Sequence, residues 1–204
     1  MWYYIKQSFM PFIYLFFMAM TAMAILTIGN DLIWLKVLLC LLNLGLYLVV
    51  VCASSYKDGQ TALKERIAND LERLQIIRTG EDRPLKIKEE YKWWKGFLYG
   101  FISCIPLVVL LIVHTILMLV DPALNGAGVV ASIIYLTFFA FFRINAIGTS
   151  TDVVLQPTIY YASLIGLPII MLATGISYIL GARKIQRQQD AIKEKQRQIY
   201  GDIN

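Results

Sequence analysis

Residues 97–120 read FLYGFISCIPLVVLLIVHTILMLV, twenty-four positions without an Asp, Glu, Lys or Arg. As a helix this stretch covers about 36 Å at 1.5 Å per residue, more than the roughly 30 Å of hydrocarbon in a bilayer. Four other blocks share its character: Phe9–Ile28, Leu32–Ala53, Gly126–Phe142 and Thr158–Leu180. All but Gly126–Phe142, with 17 residues, reach 20 or more, and Lys36 is the single charged residue inside any of the five. Strands of a membrane barrel alternate apolar and polar residues, and these blocks do not. Lipid offers no hydrogen bonds to the backbone, so continuous helices are the expected form.

The rest of the chain fits that reading. Of 204 residues 58% are hydrophobic and 16% charged, against about 25% charged in an average soluble chain. An ordinary soluble domain and a disordered chain are both excluded. Cys40, Cys52 and Cys104 lie in or beside apolar blocks without Cys-x-x-Cys spacing. They read as small packing residues rather than as a disulfide framework or metal ligands. At the N-terminus, Lys6 and the following apolar run resemble a signal peptide. The run continues through Ile28, which favours an uncleaved anchor helix.

The net charge of +5 is carried beside the apolar blocks, so membrane orientation and lipid headgroups account for it before nucleic acid does. Ten Lys/Arg fall in Ser54–Lys95 and six in the tail after Leu180. The positive-inside rule places both in the cytoplasm, and an even number of spans must then separate them. Three blocks lie between, so one does not fully cross. Gly126–Phe142 is the candidate: it is short, comes after Pro122, opens on Gly126 and Gly128, and stops just before Arg143. Five full spans, with the tail outside, are the alternative.

The expected fold is therefore an all-α integral membrane protein. It is a helical bundle of four full transmembrane helices plus one short re-entrant or partial hydrophobic helix, with a cytoplasmic amphipathic helix and a helical C-terminal tail. In chain order this gives a first transmembrane hairpin at 1–53, a cytoplasmic basic loop at 54–95 containing an amphipathic helix at 61–79, and a second transmembrane bundle at 96–181 that includes the partial helix at 126–142. A cytoplasmic basic tail at 182–204 completes it. A bacterial cytoplasmic membrane is the expected location, and the absence of an Asn-x-Ser/Thr sequon is consistent with it.

Within the spans, Pro11 lies near the start of its block, where proline is tolerated. Pro106 and Pro168 are expected to kink their helices. Asn43 sits near the middle of the second block, and a buried amide in lipid usually bonds to another helix. His114 is the only histidine, and an ionisable group within a span is a functional candidate by default. A neutral imidazole bonded to a neighbour is the simpler account.

Two soluble segments are informative. Leu63, Ile67, Leu71, Leu74 and Ile77 recur at helical spacing, Gly80 offers a stop and Pro84 follows. This apolar stripe has three possible destinations: its own bundle, the lipid interface or a partner protein. Lys86, Lys88, Lys92, Trp93, Trp94 and Lys95, with Arg183 and Lys184 after the last block, form candidate contacts for anionic headgroups. Ile185, Ile192 and Ile199 stand at heptad spacing in the tail.

Catalysis needs a nucleophile, a base or a metal group. One histidine and no acid within a span leave little to build one from, no phosphate-binding loop appears, and no cofactor is implied. The functional expectation is a non-catalytic membrane interaction or accessory subunit. Its amphipathic helix and basic tail would meet a partner protein or anionic lipid, with a homo-oligomer also open and no nucleic acid involved. The rival is a small oligomeric transporter or channel with a polar path near Asn43 and His114.

Overall fold

A computed structural model describes residues 2–26, 33–80, 91–120 and 166–200. Among these residues there are four helices and no strand: α1 (Trp2–Leu26), α2 (Ile33–Thr79), α3 (Lys95–Val120) and α4 (Gly166–Tyr200). Two of them, over Trp34–Thr79 and Gly166–Ile199, are long and apolar enough to cross a membrane, and α1 carries a shorter apolar stretch, Phe9–Ala22. The block Gly126–Phe142 lies outside the described residues, as do Lys86 and Lys88.

The helix boundaries change two expectations about proline. Helix α1 begins at Trp2, so Pro11 is interior and removes the N–H that would meet the Gln7 carbonyl. Pro106 is likewise interior to α3. Pro168, expected to kink its helix, instead falls in the first turn of α4, where the N–H has no intrahelical partner to lose.

The larger change concerns the amphipathic segment. Residues 61–79 are not a separate helix: α2 runs unbroken for 47 residues through the apolar block and the charged region. No proline interrupts Ile33–Thr79, and the change from apolar to charged side chains leaves the backbone ladder intact because Lys, Glu, Arg and Leu are all good helix formers. The helix stops at Gly80, as its sequence predicts. Gly80 adopts φ 65°, and its N–H donates to the Ile76 carbonyl at 2.9 Å. This is the left-handed C-terminal cap that a Cβ would disfavour.

The chain divides into two compact units, Met1–Val51 with Leu98–Ala173, and Cys52–Phe97 with Thr174–Asn204. Along the chain α2 and α4 each pass from the first unit into the second, and α3 passes the other way.

In the first unit the usual sidedness of a folded chain is reversed. Phe16, Phe17, Leu38, Leu42, Val49, Phe101, Ile112 and Leu119 are exposed, whereas Lys36 (1% exposed), Asn43 and Ser103 are buried. A soluble monomer rarely exposes apolar patches beyond a few hundred Å², but a lipid-facing surface has this pattern. One face of α2, carrying Lys36, Cys40, Asn43, Tyr47 and Val51, is buried along its length.

Asn43 joins α2 to α1. Its Nδ2 donates to the Met18 carbonyl at 2.8 Å, and the Thr21 hydroxyl donates to its Oδ1 at 2.7 Å. The amide orientation follows from chemistry: the Met18 carbonyl only accepts, so the amide nitrogen must face it. The Thr21 Oγ1 also lies 2.8 Å from that carbonyl, so its single proton has two acceptors within reach.

Candidate functional site

In the second unit α2 and α4 cross at two glycines. Each glycine follows a tyrosine by three positions, Tyr56-x-x-Gly59 in α2 and Tyr178-x-x-Gly181 in α4. A Cβ on Gly59 would collide with the backbone carbonyl of Tyr178, and one on Gly181 with the carbonyl of Tyr56. The contact is reciprocal, and it brings the two backbones together because neither glycine has a side chain to hold them apart.

Tyr178 is the hub of this unit and is fully buried. The Tyr91 ring stacks on it at 5.5 Å between centroids and 9° between planes. Gly96, at the start of α3, lies against it, where an added Cβ would come within 2.5 Å of the Tyr178 Cβ. Burial pushes the Tyr91 phenol above the usual tyrosine value, and the nearby Arg183 and Arg66 pull it down by a smaller amount.

Beside the crossing is a cavity of about 560 Å³, lined by Tyr56, Leu180, Arg183, Lys184, Arg187, Gln188 and Ala191. Its lining includes three cations and no carboxylate. Lys184 reaches over the Tyr56 ring, with Nζ 5.9 Å from the centroid. Two of the headgroup candidates, Arg183 and Lys184, thus come together here. Arg187 and Tyr56 join them, although sequence reasoning did not select either as a headgroup contact. The available signal was the one-turn spacing of Arg183 and Arg187.

The remaining candidates separate. Lys92, Trp93 and Trp94 are exposed in the turn before α3, with the Trp93 ring edge-on to Phe97 and the Lys92 Nζ 5.9 Å from the Trp94 ring centroid. Lys95, expected among the headgroup contacts, is buried at the first position of α3. Asn43 belongs to the first unit, and its amide is engaged at both ends by α1. His114 lies in α3, and its side chain is outside the described set.

The stripe on α2 is graded. Leu63 and Ile67 are half-buried, whereas Leu71 and Leu74 are exposed and Ile77 reaches 77% exposure. In the tail Ile185 is buried, and Ile192 and Ile199 are exposed. Charge around the stripe is balanced: Arg73 lies 3.7 Å from Asp70 one turn back. That exposed pair contributes little to stability.

Among the described residues no group of His, Cys, Asp or Glu is placed to hold a metal ion. No family model, curated protein or solved structure matches this chain.

Proposed function

We propose that the protein is a non-catalytic interaction subunit, anchored by its helices in a bacterial cytoplasmic membrane, that presents the end of α2 to a partner protein. The observation that carries this reading is the continuity of α2 together with the exposure of Leu71, Leu74 and Ile77 at its far end. Ala53 is the last apolar-block residue, and Leu71 to Ile77 lie 18 to 24 residues beyond it, or about 27 to 36 Å along the axis. A stripe held at that distance is beyond the lipid interface, so a membrane-surface role for it is disfavoured. An amphipathic helix of another protein, laying its own apolar face on this one, is the partner chemistry that fits.

The arrangement within the second unit supports four full spans with Gly126–Phe142 as the partial element. The end of α2 and the tail of α4 belong to one compact unit, as expected if the basic loop and basic tail share the cytoplasmic side. A transport path gains no comparable support, because Asn43 uses both ends of its amide to join two helices.

The test compares partner recovery by the wild-type protein and by the double variant Leu71→Asp, Leu74→Asp, both purified in mild detergent from the native membrane. Both positions are exposed, so the fold is expected to survive, and circular dichroism checks that it does. A stoichiometric protein recovered by the wild type and lost by the variant supports the reading. Undiminished recovery by a folded variant removes the stripe from consideration. Self-association abolished by the same changes would identify a second copy of this chain as the occupant.

A further inference from the structure

We infer that the cavity lined by Tyr56, Arg183, Lys184 and Arg187 binds a phosphate group, and that the headgroup of an anionic phospholipid is its natural source. The inference rests on the membrane assignment proposed above and deepens it at one place. Three observations carry it: the composition of the cavity, the depth of its cations and the pattern of one helix face.

The lining brings three cations together without a carboxylate. Among the described residues none of the three is ion-paired. Arg183 and Arg187 are one turn apart on α4, and Lys184 is carried to the α2 side over Tyr56. Guanidinium groups present paired donors that match phosphate oxygens, and an ammonium adds a compact charge. The volume, about 560 Å³, falls within the range of about 300–1,000 Å³ common to small-molecule sites.

Depth separates the six cations of the tail: Arg183 and Lys184 fall at the level of the headgroups, and Arg187 stands just beyond them, within reach of its long side chain. Leu180 ends the apolar block, and Arg183 and Arg187 lie three and seven residues beyond it, or about 4.5 and 10.5 Å along the helix. The polar headgroup layer of one leaflet is about 5–8 Å deep. Lys193, Lys195 and Arg197 lie about 20 Å or more beyond Leu180 by the same rise, outside that layer.

The face of α4 supplies the third argument. Ile176 and Leu180 are exposed at a spacing of four, and the same face continues into Arg183 and Arg187. A lipid with its chains along the apolar residues would carry its phosphate to the cations, an arrangement a soluble phosphate compound would leave half used.

The experiment uses the full chain in nanodiscs containing phosphatidylglycerol and phosphatidylcholine, with retained lipid counted by native mass spectrometry. Three proteins are compared: wild type, R183Q/K184Q/R187Q, and K193Q/K195Q/R197Q, which removes the same charge beyond headgroup depth. Each headgroup cation contributes about fivefold to binding, so the first variant is expected to lose selective phosphatidylglycerol retention by on the order of a hundredfold. The second is expected to stay within about twofold of wild type. Equal loss in both variants, or no loss in the first, overturns the site.

A second arm titrates inorganic phosphate into the detergent-solubilised wild type and the R183Q/K184Q/R187Q variant. Saturable phosphate binding that needs the three cations, without lipid selectivity, keeps the phosphate site and overturns its lipid source. Extraction of the protein from native membranes by alkaline carbonate without detergent would overturn the membrane assignment alone. The phosphate titration would still report on the cavity.

Discussion

Gly59 of α2 lies so close to the backbone carbonyl of Tyr178 in α4 that no Cβ fits between them. The same holds for Gly181 and the carbonyl of Tyr56. Because both obstacles are backbone atoms, a clash cannot be relieved by turning a side chain. Gly59→Ala is expected to destabilise the protein by about 1–3 kcal/mol or more, as overpacking does. The control is Gly45→Ala, where nothing lies within 4 Å of the added Cβ. It should leave stability unchanged or raise it by up to about 1 kcal/mol through helix propensity. Thermal unfolding of both variants in detergent separates the two outcomes, and equal melting temperatures would contradict the crossing.

Asn43 should be measurable as a helix-to-helix contact. Asn43→Leu removes the bonds to Met18 and Thr21, at an expected cost of about 0.6–2 kcal/mol in a membrane. Thr21→Val should cost less, and adding it to Asn43→Leu should cost little more. Once the amide is gone, the Thr21 hydroxyl still reaches the Met18 carbonyl 2.8 Å away. Additive losses in the double-variant cycle would show that the two side chains act independently.

Tyr91 gives a dependence on pH. Burial favours its neutral phenol, so the folded protein releases this proton above the ordinary tyrosine value of 10.0. The stability this contributes is complete below that ordinary value and is lost as pH rises from it through the raised folded value. The ultraviolet difference titration between wild type and Tyr91→Phe should show an alkaline phenolate transition above 10. Arg183→Gln should move that transition higher still, because Arg183 favours the phenolate. A Tyr91 midpoint at or below 10 would contradict its burial against Tyr178.

The continuity of α2 predicts a distance. Val49 and Leu71 are both exposed and 22 residues apart, so an unbroken helix separates them by about 33 Å. Spin labels on Val49→Cys and Leu71→Cys, in a background of Cys40→Ala, Cys52→Ala and Cys104→Ala, should give one narrow distribution at that distance. A broad or much shorter distribution would indicate a break between the apolar block and the stripe.

Two of the apolar blocks were legible in the sequence through their length and uniformity: the second and last blocks reappear within helices long and apolar enough to cross a membrane, and in the second Lys36 and Asn43 are buried. The break before Thr61 was not real. The apolar spacing from Leu63 to Ile77 marked a helix there, but no Pro or paired glycines forced the preceding helix to end, and the two are one. Lys95 was read by its neighbours Trp93 and Trp94 as an interface residue, and only the packing of α3 shows it buried. The glycine crossing depends on which tyrosine of which helix meets which glycine. Two Tyr-x-x-Gly occurrences separated by more than a hundred residues do not reveal that pairing by themselves. The cavity escaped for the same reason, since Tyr56 and Arg187 become neighbours only when α2 and α4 cross.

A helix of 47 residues without a hinge is also a lever arm. Spans change their tilt when the surrounding bilayer thins or thickens. With Ile77 about 36 Å beyond the end of the apolar block, a change of about 10° sweeps that end sideways by about 6 Å, more than half the width of a helix. On the proposed membrane reading, a change in bilayer thickness would become lateral travel at the exposed leucines, and a partner gripping them would be moved with it.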